Sequence, residues 1–181
     1  MKKIFTITLL ALWLQACTGI PEKVEPVKHI DTERYVGQWY EIARLDHSFE
    51  RGLDYVTAEY QVREDGGLQV INRGYDRNEQ EWKQATGKAY FVNQEHDGHL
   101  KVSFFGPFYG SYIVFELDRE DYQYAFVSGP NHDYLWLLSR TPTVPESLLE
   151  RFRQQAEKLG FASEQLIYPK QSKERIQALI E

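Results

Sequence analysis

The chain has 181 residues, 27 acidic against 21 basic side chains, and a formal charge of −6. That length suits one domain, and the acidic balance gives no electrostatic reason to bind nucleic acid or an anionic lipid surface. Twelve Tyr and ten Phe favour strands and apolar pockets, and a single cysteine excludes an intrachain disulfide.

Lys2 and Lys3 precede an apolar run over 4–14 that is too short to span a bilayer, so residues 1–16 read as a targeting segment. Leu14-Gln15-Ala16-Cys17 resembles the bacterial lipobox, with Gln15 where a small residue is usual. That resemblance implies cleavage before Cys17 and its modification by a diacylglycerol thioether plus an amide-linked chain such as palmitate. Two such chains exceed what stable membrane attachment needs. The rival reading is a free thiol in an ordinary secretory signal. Thr18 is not the aspartate that usually retains bacterial lipoproteins at the inner membrane, which implies the outer membrane, with the folded part facing the periplasm. Cleavage would leave 165 residues and, with both lysines lost, a formal charge of −8. Residues 17–30, with Pro21 and Pro26, lack periodicity and read as a lipidated tether; 31–181 read as the folded domain.

Eight short alternating runs follow, at 37–46, 54–63, 68–75, 82–92, 100–105, 111–117, 122–127 and 133–140. Turn residues such as Gly66-Gly67, Asp97-Gly98, Gly106-Pro107 and Gly129-Pro130 separate them. Eight sequential antiparallel strands fit an all-β, up-and-down barrel whose bore admits one small ligand. Alternation in the second run sends Val56, Ala58, Tyr60 and Val62 inward. The sixth to eighth runs are apolar on both faces and need cover outside as well. A helix after Arg140 supplies it, with Thr143 and Glu146 forming a capping box, Leu148, Phe152, Ala156 and Leu159 one stripe, and Gly160 the stop. Residues 165–168 read as a short strand, and 173–180 as a terminal helix.

Three motifs carry a family likeness. Gly37-Gln38-Trp39 opens the first run, Asp121-Tyr122-Gln123-Tyr124-Ala125 opens the seventh, and Leu135-Trp136-Leu137-Leu138-Ser139-Arg140 closes the eighth. Together they resemble the three signatures of the lipocalins, and the stretches 39–52, 104–110 and 133–142 resemble the bacterial outer-membrane members. The resemblance implies that Arg140 lies over Trp39 at the closed end, where a guanidinium over an indole gains ~1 to 2 kcal/mol.

With Trp39 and Arg140 inward, parity also sends Ala43, Tyr134, Trp136 and Leu138 inward. With Val56, Ala58, Tyr60, Val70, Val102, Phe104 and Val114 they form the expected lining, which could alternatively fill a solid core. Residues 104–110 would form an aromatic rim at the mouth, serving ligand entry, membrane contact or a subunit interface, or else a self-packed turn. Glu50 and Arg51 read as solvated charges, and His96 with His99 lack a third ligand for a metal. No phosphate loop, nucleophile elbow or cofactor motif is present. The resemblance implies a non-enzymatic outer-membrane lipoprotein that holds a fatty acid or lysophospholipid for storage or transport in envelope maintenance, and allows a homodimer. The rivals are a lipocalin-fold enzyme using Glu41 or Tyr60, and a structural protein with a filled barrel.

Overall fold

In a computed structural model of the chain, which describes residues 19–180, eight strands form one closed antiparallel barrel in sequence order, β1 pairing back onto β8. They are β1 Gly37–Arg44, β2 Leu53–Val62, β3 Leu68–Asp76, β4 Glu81–Phe91, β5 His99–Ser103, β6 Gly110–Leu117, β7 Tyr124–Ser128 and β8 Leu135–Ser139. Cys17 and the targeting segment lie outside the described residues. β7 begins later than alternation implies, because Tyr122 takes a left-handed φ of 55° inside the preceding turn. Hairpin topology collects the loops at 45–52, 77–80, 104–109 and 129–134 at one end, the mouth, and leaves those at 63–67, 92–98 and 118–123 at the other, the floor.

Period-two alternation splits the apolar residues into two cores. The inner one holds Trp39, Tyr60, Leu68, Val70, Leu100, Val114, Val127 and Leu138. The outer one holds Ile113, Phe126, Leu135 and Leu137 from β6 to β8, together with Phe152 and Ala156 on helix α2 (Glu146–Leu159) and Ile176 of α3 (Lys173–Ile180). Phe152 and Ala156 are fully buried. Gly160 ends α2 with φ 90°, its N–H bonding to Ala156 and Glu157.

Three expectations are corrected. Thr143 does not cap α2; Pro145 is the N-cap and makes no side-chain cap bond. A residue before proline is held extended, so Val144 keeps the helix from starting early enough for Thr143 to serve. The expected strand at 165–168 is a 3-10 turn, Ser163–Gln165, followed by a single bridge between Ile167 and Arg44. Val62, expected inward, is 62 % exposed at the last rung of β2.

The supposed tether is also docked from residue 21 onward. Val24 sits in the outer core, Val27 exchanges backbone bonds with Val114 (2.9 Å) and Gly98, and Ile30 bonds to His96 (2.8 Å) and enters the inner core. Asp97 fastens it by accepting from Lys28 Nζ (2.7 Å), the His29 N–H (3.2 Å) and Asn93 Nδ2 (3.1 Å). The Lys28 bond is the main cause that holds the Asp97 carboxyl down to about 2. A depressed carboxyl stabilises the fold above its ordinary value of 3.8, and that contribution is lost as pH falls through the folded value. Amide exchange at Val27 should therefore accelerate over that acid window, and Asp97→Asn should remove the dependence.

Candidate functional site

The floor is built around one side chain. The short helix α1, Thr32–Tyr35, is capped by Asp31, whose carboxylate accepts from the Glu33 and Arg34 N–H groups, and it swings Tyr35 under the barrel. Gly37 follows with φ 92°, a conformation that L side chains rarely adopt, and Trp39 then points inward, fully buried. The Arg140 guanidinium lies 3.8 Å from the Trp39 ring centroid. It donates to the carbonyls of Gln38 (2.8 Å), Arg34 (2.7 Å), Tyr35 (3.0 Å) and Val36 (3.0 Å). Trp39 Nε1 donates to the Tyr35 carbonyl at 2.9 Å. Arg140 therefore gathers the chain entering β1 to the chain leaving β8.

Tyr122 completes the floor, accepting at its hydroxyl from the Asp31 N–H (3.1 Å) with Arg34 stacked 4.2 Å over its ring. Asp121, grouped with it by motif, is exposed; the neighbouring Asp118 organises the turn by accepting from the N–H groups of Glu120, Asp121 and Gln123. Above Trp39, the hydroxyls of Tyr35 and Tyr60 each meet Tyr112 at 2.8 Å, and burial pushes all three phenols up.

Higher in the bore the wall turns polar, which the sequence reading missed. A β-bulge between Glu41 and Ala43 breaks the alternation of β1. Glu41 pairs with inward Leu138, whereas Ala43 pairs with outward Leu137 and joins the outer core, so the expected place of Ala43 in the lining is wrong. Arg44 faces inward in its stead, opposite Trp136 and 1 % exposed. Its guanidinium donates to Glu41 Oε1 (2.6 Å) and to the Glu50 carbonyl (2.8 Å), pinning the 45–52 loop. Glu50, expected in solvent, is buried, its Oε2 accepting from Trp136 Nε1 (3.0 Å) and lying 3.0 Å from His47 Nε2. Consecutive apolar Ile42 and Ala43, just after a charged residue two places from Trp39, are the only sequence trace of the bulge.

Two carboxylates face one guanidinium in this dry cluster. Burial, reinforced by Glu50, pushes the Glu41 carboxyl well up despite Arg44. Burial also works against ionised Glu50, yet bonds from His47 and Trp136, with the Arg44 charge, outweigh it and hold Glu50 below its usual range. Of the two carboxyls, Glu41 is thus the one whose neutral form the site favours, and Glu50 the one whose charge it favours.

The other expected lining residues divide by packing. Val56, Tyr60, Val70, Val114 and Leu138 are 5 % exposed or less. Ala58, Val102, Phe104, Tyr134 and Trp136 are only half-buried. Register carries the inward face from Ala58 through Asn72 to Ala85 at mid-β4, and Ala85 is exposed there. An accessible hollow thus opens above a sealed floor, bordered by Ala58, Asn72 and Ala85, with the Arg44 cluster to one side.

The lipocalin-like domain family matches residues 30–171. The chain belongs to that family. The lipocalin is 61 % identical over 171 residues to "Outer membrane lipoprotein Blc" of Vibrio cholerae, covering 94 % of this chain and 99 % of that protein. It is 52 % identical over 151 residues to the protein of the same name in Escherichia coli K12, covering 83 % and 85 %. Among solved structures, insecticyanin from the tobacco hornworm Manduca sexta shares the fold with a TM-score of 0.68 at 19 % identity, over 86 % of this chain and 88 % of that one. With the family come a lipid-binding role and, from the close relatives, a lipid-anchored place at the outer membrane.

Arg140→Ala should cost the lipocalin about 3 kcal/mol in urea unfolding, because charged donors contribute ~1.5 to 3 kcal/mol each and water replaces only some. Arg140→Lys should recover less than half, since a compact ammonium cannot span four carbonyls. In the upper cluster, Glu41→Gln should change stability by less than ~1 kcal/mol, whereas Glu50→Gln should cost about 2 to 3 kcal/mol. A raised carboxyl stabilises the fold only while protonated, so stability should decline as pH climbs through the raised Glu41 value, and Glu41→Gln should flatten that decline.

Proposed function

We propose that this lipocalin is a non-enzymatic carrier that holds one single-chain amphiphile, a fatty acid or lysophospholipid, for storage or transport in envelope upkeep. Cys17 bears its membrane anchor, after removal of residues 1–16. The observation that carries the reading is the exposed inward face at Ala85 above the floor sealed by Trp39 and Arg140. A bore closed at one end, with small side chains at Ala58 and Ala85 and a polar cluster toward the mouth, suits a tail-first acyl chain with its headgroup left near the mouth. A dozen buried methylenes at ~0.8 kcal/mol each favour binding by several kcal/mol once ordering costs are subtracted.

Binding rather than catalysis is favoured by how the rival catalytic groups are engaged. Glu41 Oε1 accepts from Arg44 at 2.6 Å, and the Tyr60 hydroxyl donates to Tyr112 at 2.8 Å, so both groups are already engaged within the protein. Titration with lysophospholipid or a long-chain fatty acid should shift the fluorescence of half-buried Trp136 and give binding heat, and Trp136→Phe should remove most of the optical change. Ala85→Trp, which fills the hollow from an exposed position, should weaken binding at least ~10-fold at unchanged melting temperature, equivalent to ~1.4 kcal/mol. No heat and no optical change with either lipid class would contradict the reading.

A further inference from the structure

The path of residues 19–30 fixes more than the tether's length. Gly19 lies against the 129–134 loop at the mouth, where a Cβ would sit 3.5 Å from the Pro130 carbonyl oxygen. From there the chain descends the outside of the barrel, through Val24 and the bonds of Val27 to Val114, and reaches the floor where Ile30 meets His96. The chain therefore enters at the mouth. Cys17 is two residues away, a reach of at most ~7 Å. An anchor there leaves no slack to lift the mouth from a membrane.

The mouth also carries the apolar groups such a position would use. Phe49 on the 45–52 loop is 60 % exposed, and Phe105 and Phe108 on the 104–109 loop are 82 % and 66 % exposed. In a closed barrel of eight strands β1 and β5 stand across from each other, so these aromatics bracket the opening from opposite sides. Charges on the mouth loops are mixed, with Arg51 and Arg77 beside Asp46, Glu79 and Asp133, so no cationic patch selects anionic lipid. Exposed aromatic rims of this kind seat in the bilayer interface.

The geometry points to a mouth-down orientation: the barrel stands on the bilayer that holds its anchor, Phe49, Phe105 and Phe108 enter the interface, and the hollow opens onto the lipid itself. A ligand then passes between bilayer and bore without crossing water. The orientation rests on the Cys17 anchor of the proposed reading but not on ligand binding.

The test uses the full lipidated chain in phosphatidylcholine vesicles. The anchor consumes the sole cysteine, so Phe108→Cys at the mouth or Glu64→Cys at the floor offers one thiol for a nitroxide. The label at 108 should collide with membrane-dissolved oxygen in preference to a water-soluble nickel chelate, and the label at 64 should do the reverse. Equal exposure of both labels to nickel, or a buried label at 64, overturns the orientation. So does a label at 108 shielded from both reagents in a crosslinkable dimer, which would mean that a second copy covers the rim. An unsubstituted chain that takes the label has a free Cys17, and then anchor and orientation fall together. Correct label depths in a chain that binds no lysophospholipid would uphold the orientation and sink only the carrier.

Discussion

A single guanidinium organises this molecule. Arg140 stacks on Trp39 and bonds to four carbonyls in the segment that leads from α1 into β1. β8 does not pair with residues 34–38, so these carbonyls need another donor, and a carbonyl taken from water without one is costly. Arginine suits the position because its planar fork addresses several acceptors at once and never loses its charge. The same contact joins the first strand to the last, so closing the barrel and sealing its floor are one event.

A sealed floor divides the interior. Near it, large side chains pack the bore, and the hydroxyls of Tyr35 and Tyr60 both engage that of Tyr112. At the level of Ala58, which pairs with Trp39, register leads through Asn72 to Ala85, and accessibility returns there. The buried cluster of Glu41, Arg44, His47 and Glu50 stands in the upper wall. Arg44 spends its donors on Glu41 and on the Glu50 carbonyl, and thereby fixes the 45–52 loop that carries Phe49 to the rim. Polar chemistry in the bore thus supports the shape of the opening.

The architecture was readable because one face of every strand is buried, which makes alternation a strong signal, and because Gly37, Trp39, Tyr122 and Arg140 keep a recognisable spacing. Failures came where local geometry departs from period two or where tertiary contact overrides composition. The bulge in β1 turned Ala43 outward and Arg44 inward, a one-residue slip that alternation alone cannot reveal. Glu50 looked solvated because its partners, Trp136 and His47, are distant in sequence or across a turn. Asp118, not Asp121, shapes the floor turn, since three N–H groups converge on whichever carboxylate begins it. Residues 21–30 lack periodicity yet dock, because Val24, Val27 and Ile30 meet complementary apolar ground on strands that follow far downstream.

Native mass spectrometry of the lipidated chain, drawn gently from its own outer membrane, addresses the sealed cup most directly. A cup closed by Arg140 and open above predicts chains that carry one single-acyl amphiphile each, released only on collisional activation. Bare chains from a lipid-replete envelope, under conditions that keep the fold intact, would contradict it.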